Sequence, residues 1–549
     1  MEITLSAYSY EHILRYYNEV KTDGLKEHGF PRLAANMGIL IAHKRRLDLM
    51  EIFIKMMDLC LQEFPKGKAA NDFSIKEVIF ALEELENANS IKREKMEEWK
   101  DLLRAIDPYK CYDVYAKSKE DIVYNWAAFT MLSEFMRAKM GLADSYTDFI
   151  DLQAFSQLRH LDENKMYRDP NNPMVYDLVT RGLFALLLHE GYEGEYKKEW
   201  QDALDATLMP TLSMQSVTGE MPYGGRSNQF IHNEAHCALM LEYYATLSAK
   251  RGDMALAGRC KAGVLRALEN IRHHLSLTPI FHVKNRFPLA TGYGCEDYAY
   301  FDKYMITAAS FLYVAYRMCD EKIVPIFPDD RKGSFWQTSD DFHKVFLRGG
   351  DYFAEYDYKA DTHYDCSGLG RLHKKGIPSE LCLSTPCPHA SRYKVDIEDP
   401  FPLAIVPGVP VEGKWLYGTE KEVIHTIKAL SAEGESSLME VEYLFPSGEK
   451  LEARYLLNGN GMQIKIKASS PVRCLLPAFQ FNGEEETKIT SGKNHLEVHF
   501  KGFFCRYETE EGTIQKLDGS ARNRNGHYGV FAAEGNGELT ILISLEKEG

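Results

Sequence analysis

The densest concentration of reactive side chains is GEMPYGGRSNQFIHNEAH, Gly219 to His236. It carries Glu220, Tyr223, Arg226, Asn228, His232, Asn233, Glu234 and His236. Gly224 and Gly225 mark a loop, and helical spacing resumes near His232, so the stretch reads as a loop-to-helix junction. Imidazole and phenol groups suit proton transfer, and Arg and Asn suit binding a carboxylate. Part of the pattern has a structural reading, with Asn233 capping the helix and Glu234 favouring its N-terminal dipole. His232 and His236 stand four apart and share one helical face. Zinc peptidases use H-E-x-x-H, whereas the order here is H-N-E-A-H, so a zinc protease is not expected, and a metal of another type at the two histidines is left open.

Three other stretches could contribute. HVKNRFPLATGYGCEDYAYFDKY, His282 to Tyr304, offers Arg286, Tyr293, Glu296 and Asp297 around a second glycine-marked loop. Tyr298, Tyr300 and Tyr304 read mainly as packing for the next helix, while Tyr293 between two glycines does not. Asn125 and Trp126 form a polar-aromatic step at the edge of an apolar helical run. A buried Asn needs hydrogen-bond partners, whether a neighbouring loop or a ligand. DTHYDCSGLGRLHKK, Asp361 to Lys375, gathers His363, Asp365, Arg371 and His373 near glycine turns.

These residues must be positioned by two kinds of element. From the N-terminus to about residue 322, apolar residues recur at i, i+3, i+4 and i+7, as in SIKEVIFALEELENA, PMVYDLVTRGLFALLLHEGY and EAHCALMLEYYATLSAKRG. Several helices are apolar on more than one face, which predicts two concentric layers with nearly surrounded inner helices. Residues 323–336 form a Pro-, Asp- and Gly-containing linker. From 337 to 549 the chain turns to short alternating runs such as SSLMEVEYLF and KLEARYLLNG, an antiparallel β-sandwich pattern. The expected fold class is thus α+β multidomain, a helical toroid followed by a β-sandwich.

The composition narrows the function. With 549 residues and 45% hydrophobic content, the chain is globular and too long for one domain. A formal charge of -15 argues against nucleic acid and anionic membranes as partners. The eleven cysteines are scattered without a CxxC, which predicts reduced, buried thiols. No basic-then-apolar leader is visible, so a cytoplasmic location is expected. A homo-oligomer is compatible with the composition.

This order of domains resembles several polysaccharide lyases, including heparinase II/III-like, chondroitin-lyase-like and exolytic alginate-lyase-like enzymes, and also some toroidal glycoside hydrolases. The resemblance spans nearly the whole chain as layout. It implies that Asn125-Trp126 corresponds to an Asn-Trp that binds a uronate carboxylate. It also implies that His363 is a sandwich histidine reaching the cleft. Uronate β-elimination needs a neutralised carboxylate, a base for the C5 proton and an acid for the leaving oxygen. Asn125, Arg226 and Asn228 would neutralise, His232 would be the base, and Tyr223 or Tyr293 the acid. Trp126, His236, Arg286, Glu296, Asp297 and His363 would bind substrate, and no cofactor is required. Glycoside hydrolysis instead needs two carboxyl groups, which Glu220, Glu234, Glu296 and Asp297 could supply. A non-catalytic carbohydrate-binding protein would show aromatic platforms without such titratable clusters. The expected substrate is a short acidic oligosaccharide, cleaved exolytically.

Overall fold

The computed structural model describes residues 1–67, 69–144 and 147–549. Its N-terminal part is helical, and the last helix ends at Arg317. Six helices form a closed inner ring: Gly29–Ala42, Ala69–Asn87, Trp126–Lys139, Met174–His189, Ile231–Lys250 and Phe301–Arg317. Each packs on the next, and the last returns to the first. Their sequences explain why they are inside. Gly29–Ala42 is buried along its whole length, and Met174–His189 and Ile231–Lys250 are buried on nearly every face. Helices with a polar face, such as Arg93–Arg104 and Lys197–Ala206, form the outer layer. Glycines permit the closest contacts, since a Cβ on Gly182 would lie 2.9 Å from Leu239 Cδ2. No described helix is long and apolar enough to cross a membrane.

After the linker, β1 (Ser334–Gln337), β2 (Lys344–Gly349), β3 (Tyr352–Asp357) and β4 (Gly368–Lys374) form an antiparallel four-stranded sheet in that order. The remaining strands form a large antiparallel sheet whose centre is the strand Gly461–Phe481 paired along its length with the strand His527–Lys547. The strands Ser436–Leu444 and Lys450–Asn458 alternate buried and solvent-facing residues, as their sequences predict. β3 does not alternate, because the small sheet is covered on both faces. Phe346 and Phe353 join the helical core, whereas Val345, Leu347 and Ala354 join the core shared with the large sheet. The small sheet is therefore the layer that couples the sandwich to the ring.

All eleven cysteines are free and ten are buried. The expected helical ring and antiparallel sheets are both present in the expected order.

Candidate functional site

The parallel sense of the inner helices defines the site. A cavity of about 330 Å³ is lined by residues from the first two turns, or the residues just before them, of all six ring helices. These include His28 and Arg32, Phe73, Asn125 and Trp126, Val175 and Tyr176, His232 and His236, and Lys303, Tyr304 and Thr307. The N-terminal ends of six helix dipoles thus point toward one space, a positive environment that favours a bound anion. Side chains reinforce this. Lys26, Arg32, Arg226 and Lys303 line the cavity, and among the described residues that line it Glu27 is the one carboxylate.

His232 is 4% exposed. Burial, aided by the charge of Arg32, pushes its pKa down to about 3, so the imidazole is neutral. Its ring packs against Tyr304, with centroids 5.0 Å apart, and its Nδ1 has no protein partner. His236, one turn along, is held neutral by burial and packs 3.8 Å from the Phe311 ring. Three phenols meet at Ser227 Oγ: Tyr298 at 3.0 Å, Tyr176 at 3.2 Å and Tyr304 at 3.3 Å. Burial raises the pKa of Tyr298 and Tyr304, so both retain their protons at neutral pH. A neutral imidazole and proton-bearing phenols therefore face the same space.

Asn125 precedes the helix Trp126–Lys139 and donates from Nδ2 to Asp169 Oδ1 at 2.7 Å. Asp169 also receives Arg226, whose guanidinium lies over the Tyr176 ring at 4.4 Å and donates to Pro170 O. Trp126 packs edge-on to Phe73. Arg32 donates from Nε to both Glu77 oxygens and from Nη1 to Thr307 Oγ1, which leaves its buried Nη2 without a partner. Among the described residues Lys303 has no carboxylate within ion-pair distance, and burial lowers its pKa.

The junction loop is shaped by its backbone. Gly224, Gly225, Ser227 and Gln229 all have positive φ. A Cβ on Gly225 would sit 2.7 Å from Pro173 Cβ, so glycine is required there. Asn233 does cap its helix: Oδ1 accepts from Phe230 N at 2.8 Å, and Nδ2 donates to Ser227 O. Glu296 holds Ser227 from behind, accepting from its N–H at 2.8 Å. Glu296 is itself held by Arg524 at 2.6 Å, from the turn that leads into the strand His527–Lys547. Asn228 is buried with Oδ1 accepting from Gln229 N, outside the cavity lining.

The sequence-derived candidates divide clearly by location. Asn125, Trp126, Arg226, His232 and His236 line the cavity. Glu220, Tyr223 and Glu234 lie instead at the seam between ring and small sheet. There Lys284 reaches Glu234 at 2.7 Å and Glu220 at 3.5 Å, and Arg371 reaches Glu355 at 3.2 Å. Tyr223 is fully buried beneath Lys344 Nζ, 3.5 Å from its ring centroid. Lys284 and Arg371 hold the Glu220 carboxyl far below its usual range despite its burial, while burial dominates for Glu234 and raises it. Tyr293 stacks on Phe287 and donates to Gly526 O. Arg286 pairs with Glu484 and caps the carbonyls of Thr278 and Pro279. Asp297 is exposed beside Lys394, and His363 is exposed beside Asp361. Sequence reading did not single out Arg32, His28, Tyr176 or Lys303 for the cavity, nor Arg524 behind it. The one sequence signal for Tyr298 and Tyr304 was their tyrosine-rich run.

Among the described residues no group of three or more His, Cys, Asp or Glu is placed to hold a metal. No family model matches the sequence, and no curated protein sequence matches it. Among solved structures the chain is similar to heparinase III, with 8% identity over 98% of this chain and 90% of that one and a TM-score of 0.42. It is also similar to the heparan sulfate lyase HepC from Pedobacter heparinus (9% identity, 98% and 88% covered, TM-score 0.35). A glycosyl hydrolase family 88 protein from Bacteroides vulgatus covers 56% of this chain and 98% of its own (11% identity, TM-score 0.37). The resemblance to heparinase III is one of layout, at low sequence identity.

Proposed function

We propose that the chain is a carbohydrate-active enzyme that cleaves short uronate-containing oligosaccharides by β-elimination. The observation that carries this reading is the convergence of six helix N-termini, Arg32, Arg226 and Lys303 on a cavity holding a neutral histidine and proton-bearing tyrosines. The positive end-on field and the Asn125 amide would neutralise the uronate carboxylate and so acidify the C5 proton. His232 would take that proton. A phenol of the Ser227 cluster, Tyr304 or Tyr298, would protonate the leaving oxygen. Trp126 would offer a face to a sugar ring. A cavity of this size suits a sugar or two rather than a long polymer, which favours exolytic action.

Hydrolysis needs two carboxyl groups across the bond, and Glu27 is the one carboxylate in the described lining. The lyase reading is therefore preferred. The test is absorbance of the unsaturated uronate on incubation with uronate oligosaccharides. Lysis yields the chromophore, hydrolysis yields reducing ends without it, and a binding protein yields neither. His232→Ala should lower turnover by about 10²–10⁴-fold with the fold intact by circular dichroism. Undiminished turnover in that variant would remove His232 from the mechanism.

A further inference from the structure

A second cavity, of about 460 Å³, lies where the helices Leu208–Met214 and Met254–Ser276, the linker and β2 meet. Arg259, Arg266, Lys332 and Arg348 line it, with Asp329 and Asp330. The carboxylates already have cations. Asp330 takes Arg266 at 2.6 Å and Lys375 at 3.0 Å, and Asp329 takes Arg331 at 3.1 Å. Arg259, Lys332 and Arg348 have no carboxylate within ion-pair distance among the described residues. Arg348 instead donates to main-chain carbonyls of Gln215 and Leu212, and its guanidinium lies 5.1 Å from the Phe353 ring. Unmatched cations gathered around a concave space in a chain of net charge -15 need a reason. Dispersed cations would repel one another less.

The walls are fixed before any ligand arrives. Arg348 sits in the β1–β2 ladder opposite Ser334. The linker is pinned where Ile326 N donates to Gly258 O at 2.8 Å, and a Cβ on Gly258 would meet Ile326 at 2.6 Å. Gly333 packs more closely still, since a Cβ there would lie 2.0 Å from the Ser436 carbonyl oxygen. The rim is apolar, with Met209 46% and Phe335 43% exposed.

We propose that this cavity is a second binding site, for a tetrahedral oxyanion. Arg259 and Arg348 hold the group, Arg266 flanks it, and Met209 and Phe335 receive the organic body that carries it. Planar guanidinium forks match phosphate and sulfate oxygens, so the ligand class is a small phosphate or sulfate ester. The site is separate from the cavity at the ring's helix N-termini, with which it shares no lining residue.

The test is hydrogen exchange of the full chain with inorganic phosphate, inorganic sulfate, or chloride at matched ionic strength. Phosphate, sulfate or both should slow exchange in the linker around residues 328–335, and chloride should not. Slowing by phosphate alone assigns a phosphate ester, and by sulfate alone a sulfate ester. Arg348→Gln should raise the half-saturating concentration roughly tenfold, the loss expected for one charge-assisted hydrogen bond. Arg259→Gln, at an exposed position that leaves folding untouched, should do the same. No slowing by either oxyanion, equal slowing by chloride, or unchanged half-saturation in both variants overturns the proposal.

Discussion

Replacing Lys284 with Met tests whether Glu220 and Glu234 serve the seam between the domains rather than the chemistry. The Lys284 ammonium sits 2.7 Å from Glu234 and 3.5 Å from Glu220, and all three side chains are nearly inaccessible. Glu220 keeps Arg371 at 3.7 Å when Lys284 is removed. Among the described residues Glu234 keeps no cation. The Lys284 main chain is held independently, since its N–H donates to Gln229 O and its carbonyl accepts from Asn525. Lys284→Met therefore strips a charge without freeing the loop. Breaking one buried pair and leaving its carboxylate behind costs about 3–5 kcal/mol.

The sign of the pH dependence follows. Burial already raises the Glu234 pKa and Lys284 opposes that rise, so removing Lys284 raises it further. A carboxyl whose folded pKa exceeds its unfolded one binds more protons when folded, so stability is gained as pH falls through the folded value. The deficit of Lys284→Met should be greatest near neutral pH and shrink as the pH falls toward the ordinary carboxyl range. Adding Glu234→Gln removes the stranded charge and should restore about 2–3 kcal/mol, a coupling measurable by a double-mutant cycle. Urea unfolding followed by both tryptophan fluorescence and circular dichroism gives the midpoints and slopes. A single variant within about 1 kcal/mol of wild type would refute the reasoning. So would a double variant no more stable than the single. A stable but inactive double variant would return Glu234 to the reaction.

Three further outcomes are expected. His373, held at about 3 by burial and bonded to Ser216, stays neutral when folded but protonates when unfolded below about pH 6.5. It therefore costs wild type about 2 kcal/mol between pH 7 and 5, so the unfolding free energy of His373→Gln should fall less steeply with acid. Gly225→Ala forces a Cβ into positive φ against Pro173, and should lose at least about 1–2 kcal/mol in calorimetry. It should also slow turnover, because Ser227 two residues on organises the phenols. Arg524→Lys cannot reproduce the fork onto Glu296 and Gly294 O, so it should lower kcat more than it raises KM in steady-state assays if the cavity is the catalytic site.

The two architectures were legible because each has its own period. SIKEVIFALEELENA can bury a helical face, and SSLMEVEYLF can bury alternate residues on one side of a sheet. His232 and His236 were legible for the same reason, since their spacing places both on whichever face meets the cavity. The seam was not legible. GEMPYGG looks like the approach to a cleft, and its counter-charges Lys284 and Arg371 lie far along the chain. KVFLRG gives no hint that Lys344 faces a second domain rather than water, because a lysine on alternate strand positions ordinarily marks the solvent side. A polar run at a loop-to-helix junction is thus ambiguous until its ionic partners are placed. In the seam each cation lies within ion-pair distance of a carboxylate: Lys284 of Glu234, Lys344 of Glu355 and Asp357, and Arg371 of Glu355. At the ring's helix N-termini Lys303 and one nitrogen of Arg32 stay unmatched, and six helix dipoles add to them. That surplus comes from ring closure, which brings together first turns as distant as His28 and Tyr304. It is the physical ground for assigning an anion to this cavity rather than to the more densely charged seam.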